Sequence, residues 1–168
     1  CESRSIAGTI EDTCGKWAVS LYPSGGFSSL TLAYQSAEHI KWRLRYGKAR
    51  VLILYVGDYD PAGVLIDQSI ERELLSHLND DVDLEFRRIA VNEYQIAEMD
   101  LPTKPRKAGD RRATHIEATV EAEAMPAYLL RELLEENISA LIPERELKAV
   151  MVAEESERAA LNLLAESL

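Results

Sequence analysis

The stretch VLILYVGDYDPAG, residues 51–63, decides how the chain is read. Six mostly apolar, β-prone residues, Val51 to Val56, make a run of the kind buried in a parallel sheet. Gly57 ends the run, and Asp58, Tyr59, Asp60, Pro61 and Gly63 follow. The two aspartates therefore fall at the C-terminal end of a strand, where open α/β sheets hold their ligands. In an extended chain, carboxylates two residues apart point to opposite faces. At a strand-to-loop bend they can converge, and converging carboxylates suit a hard divalent cation such as Mg2+. The competing reading is local: Asp-Pro and Gly favour turns, which would make Asp58 and Asp60 turn and cap residues ahead of a helix.

Working outward, Pro61 to Leu78 reads as a helix. Pro stands near its first turn, and Val64, Leu65, Ile70, Leu74, Leu75 and Leu78 line a face. Upstream, residues 3–14 read as a helix with Ile6 and Ile10 at i, i+4 spacing, and WAVSLY (17–22) reads as a short strand. PSGGFSS (23–29) is a turn into a helix of about 28–46 with Ser28 or Ser29 as cap. Downstream come a strand at 84–91 (LEFRRIAV) and a short helix ending at Met99. A charged, two-proline loop follows at 101–115, then an amphipathic helix at 126–141 and a last helix opened by Pro143. Alternating strands and helices predict a small three-layer α/β domain with a mainly parallel sheet and helices on both faces. Residues 1–142 would form this domain, with 143–168 as a C-terminal helix packed on it. The first residue is Cys1 rather than Met, which points to a piece of a longer protein.

The 168 residues suit one domain with a real core. No segment approaches the ~20 apolar residues of a membrane span. Cys1 and Cys14 make neither a disulfide framework nor a CxxC pair, so a reducing cytoplasm is expected. The net charge is −10 and uneven: residues 117–168 carry twelve acids against four bases, the first 116 residues 17 against 15. Bulk charge therefore argues against nucleic acid. One basic segment runs the other way, with Lys104, Arg106, Lys107, Arg111 and Arg112 clustered in the loop, able to position a nucleic-acid backbone or simply to be solvated. His39, His77 and His115 have no ligand spacing to one another.

The strand-GDYDP-x-G unit, with ESRS upstream at 2–5, resembles the metal motif of TOPRIM domains, which occur in topoisomerases, primases and related nucleases. The likeness is nearest to the topoisomerase VI A subunit and meiotic double-strand-break type, and it runs over about residues 1–142. It implies a Mg2+ site of Glu2, Asp58 and Asp60, with Glu2 as ligand, as general acid/base, or both. It also implies phosphodiester cleavage or transfer on DNA. Such chemistry builds charge on phosphate oxygens that a carboxylate-held Mg2+ neutralises. By the same likeness the Gly-rich turn of Gly25, Gly26, Ser28 and Ser29 fits the loop after the second strand, where N–H groups can hold phosphate. An ordinary strand-to-helix turn explains that string as well. Arg4 fits a phosphate contact or a surface ion pair, and Lys104 and Lys107 are further substrate-binding candidates. EAEAMP (121–126) departs from the family string, since Ala122 and Glu123 stand where Leu and Asp are expected. Glu121 and Glu123 are therefore read as solvent-facing. Tyr55 and Tyr59 do not match the family's tyrosine nucleophile, which lies in a separate DNA-binding domain.

Two other classes stay open. A haloacid-dehalogenase-type phosphatase also places Asp-x-Asp after a strand, with the first Asp as nucleophile, and Pro61 argues against it. A non-catalytic TOPRIM-shaped module would use the acidic helices beyond residue 126 to bind a partner or a second copy as a homodimer.

Overall fold

The computed structural model describes residues 1–25, 30–45, 50–78 and 82–167. Over these the chain is mixed α/β and mostly helical. No helix among the described residues is long and apolar enough to cross a membrane.

Helix α1 (Arg4–Lys16) starts where Ser3 caps it, its hydroxyl accepting from the Ile6 N–H at 3.1 Å. The i, i+4 row of Ile6, Ile10 and Cys14 forms its buried face. The strand predicted at 17–22 does not form. The backbone there closes the helix instead: Trp17 N–H bonds Thr13 and Val19 N–H bonds Cys14, while Ala18 adopts φ +53°. A left-handed residue breaks an extended run, so period-2 apolar patterning has no strand to act on.

Helix α2 (Leu30–Leu44) precedes the central unit of strand β1 (Val51–Val56), helix α3 (Gly63–His77) and strand β2 (Leu84–Ala90). The strands pair in parallel, from Val51 with Leu84 to Tyr55 with Arg88, then slip by one residue so that Val56 pairs with Ala90. Pairing continues beyond the strands, with Gly57 N–H on the Ala90 carbonyl and Val91 N–H on the Gly57 carbonyl, both at 2.8 Å. Ala37 of α2, Leu74 of α3 and Leu78 just after it form a core with Ile53 and Leu84 of the sheet. Burying a side chain such as Leu74 contributes about 1.5–3 kcal/mol, which holds both helices on the sheet.

Helix α4 (Glu93–Glu98) follows β2 directly. Asn92 and Gln95 form a capping box, and the buried Gln95 amide also donates to the Ile89 carbonyl at 2.9 Å. The segment expected to be a plain loop at 101–115 contains β3 (Lys104–Pro105), which pairs antiparallel with β4 (Ala118–Thr119). Its proline sits in a two-residue edge pair, where a missing N–H is tolerated. A bridge between Tyr59 and Val120 then ties the segment after β4 to the Asp58–Asp60 loop. A 3₁₀ turn (Ala122–Ala124) leads into α5 (Ala127–Ser139).

The chain divides into two units, Cys1–Leu134 and Glu135–Leu168. The division falls inside α5. The second unit contains α6 (Glu144–Glu166), which buries none of its residues.

Candidate functional site

The first two residues lie against the end of β1. Glu2 N–H bonds the Val56 carbonyl at 2.8 Å. On the other side, Ser24 N–H bonds Cys1 and Gly25 N–H bonds Glu2, each at 2.8 Å. Glu2 thus precedes the cap of α1 and is half-buried, so it is not an exposed first-turn acid placed for the helix dipole. Its Oε2 accepts from the Asp58 N–H at 2.8 Å, a bond between residues 56 apart in the chain.

Each aspartate is held by backbone N–H groups. Asp58 Oδ1 accepts from Ala122 N–H at 2.8 Å, across the contact made by the Tyr59–Val120 bridge. Asp60 Oδ1 accepts from Ala62 N–H at 2.8 Å and Gly63 N–H at 2.5 Å. Asp60 therefore does make the local turn that Asp-Pro-x-Gly suggests, while Asp58 reaches across the fold. Two glycines permit the close approach. A Cβ on Gly57 would stand 2.7 Å from Glu2 Oε2 and 2.7 Å from the Tyr55 hydroxyl, and one on Gly63 would collide with the Asp58 carbonyl.

Below the acids lies Arg88 of β2, whose side chain is 12% exposed. Its Nε donates to Asp67 Oδ2 at 2.7 Å. Nη1 donates to the carbonyls of Gly57 and Asp58 at 3.1 Å and of Val91 at 3.2 Å, and Nη2 to Gly63 at 2.7 Å. Its guanidinium carbon lies 5.1 Å from the centre of the Tyr55 ring. The arginine thus draws in both ends of the acid-bearing loop. Sequence reading passed over it, and the available signal was a charged residue in an apolar strand, which folds stably only when bonded.

Electrostatics set the acids apart from ordinary surface carboxylates. Burial, with the charges of Asp58 and Asp60, raises Glu2 above its usual value despite the Asp58 N–H and Arg88. Burial also raises Asp58, and the charges of Glu123, Asp60 and Glu121 add to it. Glu123 is exposed and accepts from the Ser3 hydroxyl at 2.8 Å, and Glu121 pairs with Lys104 at 2.8 Å. Both were read as solvent-facing, and both are; their fields nonetheless reach Asp58.

The other predicted site residues divide. Arg4 is exposed at the start of α1. Gly26 and Ser28 lie outside the described residues. Lys104 is engaged by Glu121, and Lys107 is exposed. Arg106 is used internally, donating to the carbonyls of Asp110, Arg112, Thr114 and Ile116. Arg112 is held by Asp110, and the field of Asp60 also favours its charge.

Among the described residues, no three His, Cys, Asp or Glu side chains stand in an arrangement that would hold a metal ion. The donor chemistry at Glu2, Asp58 and Asp60 still suits a hard cation. All donors are oxygens, the charges of Asp58 and Asp60 add to the burial that raises Glu2, and a carboxylate bonded on one oxygen keeps acceptor capacity on the other. The Tyr55 hydroxyl, buried near Glu2, has no hydrogen-bond partner among the described residues. No family model, no curated protein and no solved structure matches the chain.

Proposed function

We propose that this chain is a TOPRIM-like catalytic domain with a three-layer α/β arrangement. Its Glu2, Asp58 and Asp60 hold Mg2+ for phosphodiester cleavage or transfer on DNA. The observation that carries the reading is the bond from Asp58 N–H to Glu2 Oε2, which brings an acid from the chain's start to the Asp-x-Asp loop. Ligation requires the three side chains to turn their second oxygens together. The energetic reason for them to do so is the mutual repulsion that a divalent cation relieves.

When bound, Mg2+ would stabilise charge on phosphate oxygens. Glu2, whose proton affinity is raised by burial and by the Asp58 and Asp60 charges, is the acid suited to hold and pass a proton. Exposed Lys107 and Arg111 would contact the DNA backbone without reading sequence. Arg88 keeps the acid loop in shape from below.

The test is a Mg2+ titration of the parent and of Asp58→Ala, followed by calorimetry and by amide NMR shifts. Saturable binding by the parent, weakened at least about tenfold in the variant, is expected for loss of one of three carboxylate ligands. Equal binding by the two proteins would end the proposal.

A further inference from the structure

Helix α6 fully buries none of its 23 residues. At about 100° per residue, Ala149, Val152, Ala153, Ala159, Ala160 and Leu163 fall within an arc of about 120° around Ser156. All are exposed, Val152 at 67% and Leu163 at 69%. From Ala149 onward no charged residue interrupts this face; Glu154, Glu155, Glu157 and Arg158 lie outside it. Leu147, which is half-buried, lies on the opposite side of the helix. The helix is therefore amphipathic, and its apolar side is the one turned to water. A continuous exposed apolar face of this kind marks a surface that another molecule covers.

The order of large and small side chains says what covers it. A second copy turned end for end about Ser156 sets Leu163 against Ala149, Val152 against Ala160 and Ala153 against Ala159. Each large side chain then meets a small one, as knobs-into-holes packing requires. The alanines let the two axes approach toward the lower end of the usual range of ~8–10 Å. A parallel copy in register would set Leu163 on Leu163, Val152 on Val152 and alanine on alanine, crowding some levels and leaving others empty. Charge agrees. Lys148 and Glu166 lie on one flank of the face, and the end-for-end turn sets the Lys148 of each copy beside the Glu166 of the other. The parallel arrangement would set like charges together at both positions. The bond Lys148 now makes to Glu144 is a surface pair, 71% and 80% exposed, and costs little to exchange.

We infer that α6 is a self-association surface through which two copies of this chain pair antiparallel, with the two-fold axis at Ser156. The same patch serves both copies, so the assembly closes at two. The inference does not depend on the cation reading above. The net charge of −10 on each copy opposes association, and Glu155 and Glu157 flank the axis at the solvated rim. The pair is therefore a weak dimer that assembles at micromolar concentrations.

Analytical ultracentrifugation of the full chain over a range of concentrations tests it, and the parent is expected to pass from monomer to dimer. Ala153→Glu puts a charge in the middle of the face and is expected to weaken the dimer at least about thirtyfold. Met151→Glu makes the same change of charge on the opposite side and is expected to stay within about twofold of the parent. Both positions are exposed, so both variants should keep the parent's helical circular dichroism. Lys148→Glu is expected to weaken the dimer about fivefold, and adding Glu166→Lys to restore it. Adding Glu154→Lys instead, the same change of net charge away from the face, should not. A parent that stays monomeric would leave the face to some other partner and overturn the inference. So would a dimer that survives Ala153→Glu, or one that Met151→Glu weakens equally. Restoration by both second changes, or by neither, would overturn the antiparallel pairing.

Discussion

Two loops in this chain are each gathered around one arginine, and they use it to opposite ends. Arg88 collects the carbonyls of Gly57, Asp58, Gly63 and Val91 and thereby shapes a loop whose side chains are acidic. Arg106 collects the carbonyls of Asp110, Arg112, Thr114 and Ile116 and shapes a loop that also carries Lys104, Lys107, Arg111 and Arg112. The guanidinium fork explains both, since it offers five donors in a fixed plane where a lysine has one mobile point charge. The difference is burial. Arg88 is closed in with Asp67, at 12% and 14% side-chain exposure, while Arg106 is half-buried and two of its four bonds are exposed. The lesson is that a charge counted in a sequence is not a charge available to a ligand. Arg106 is absorbed by its own loop, Lys104 by Glu121 and Arg112 by Asp110, whereas Lys107 is exposed.

The sharpest way to break this contrast is Arg88→Met. It leaves Asp67 nearly buried without its partner and takes one donor from each of four carbonyls, and a loss of about 3 kcal/mol is expected in urea unfolding. Adding Asp67→Leu should recover part of that loss, because an unpaired buried charge costs more than an absent pair. If the single variant unfolds at the parent's urea midpoint, Arg88 does not organise the acid loop. Arg106→Met should cost less, about 1–2 kcal/mol by the same measurement, since water can replace some of its bonds. Lys107→Ala beside it serves as the control and should move stability by no more than about 0.5 kcal/mol. Equal losses at the two positions would erase the distinction between a loop-forming and a displayed charge.

The smallest effect concerns the acids that Arg88 supports. Glu2 and Asp58 are both raised in the folded protein, so folding favours their protonated forms. The sign follows from linkage. Their contribution is fully present below the ordinary carboxylate values of the unfolded chain and is lost as pH rises through the raised folded values. Cation-free protein should therefore be less stable at pH 7 than linkage from its other acids alone would give. Asp58→Asn keeps an oxygen for the Ala122 N–H and removes the charge, and it should raise the cation-free melting temperature at pH 7 by about 2–4 °C. The gain should vanish toward pH 3, which thermal melts across that range would read directly. A gain that is constant with pH would mean that repulsion at Asp58 is not the cause.

Much of the central unit was legible in the residues. The apolar run at 51–56, the helical face from Val64 to Leu78 and the strand at 84–90 all form. Each is long enough for its period to dominate, although Leu65 and Leu75 of the helical face stay exposed and only Tyr55 and Val56 of the 51–56 run are fully buried. The strand read at 17–22 was lost because the end of α1 claims its first residues. The β3–β4 pair was missed because two-residue strands have no period to detect. At the site, Glu2 accepts from the Asp58 N–H near the end of β1, and Arg88, Tyr55 and the Ala122 N–H were not foreseen. Their importance lies in bonds to backbone, or in the absence of a bond, and neither leaves a mark on side-chain type.

Residue order alone was enough to say that an acidic turn follows a strand, since hydrophobic periodicity and turn chemistry act between neighbours. It could not say that Glu2 meets Asp58, that Asp58 reaches Ala122, or that one arginine ties both sides of the acid loop, because these bonds span 56, 64 and up to 31 residues. Contacts at such separations come from how packed elements bring distant backbone together, and folding fixes them through burial and hydrogen-bond satisfaction, not through any local pattern.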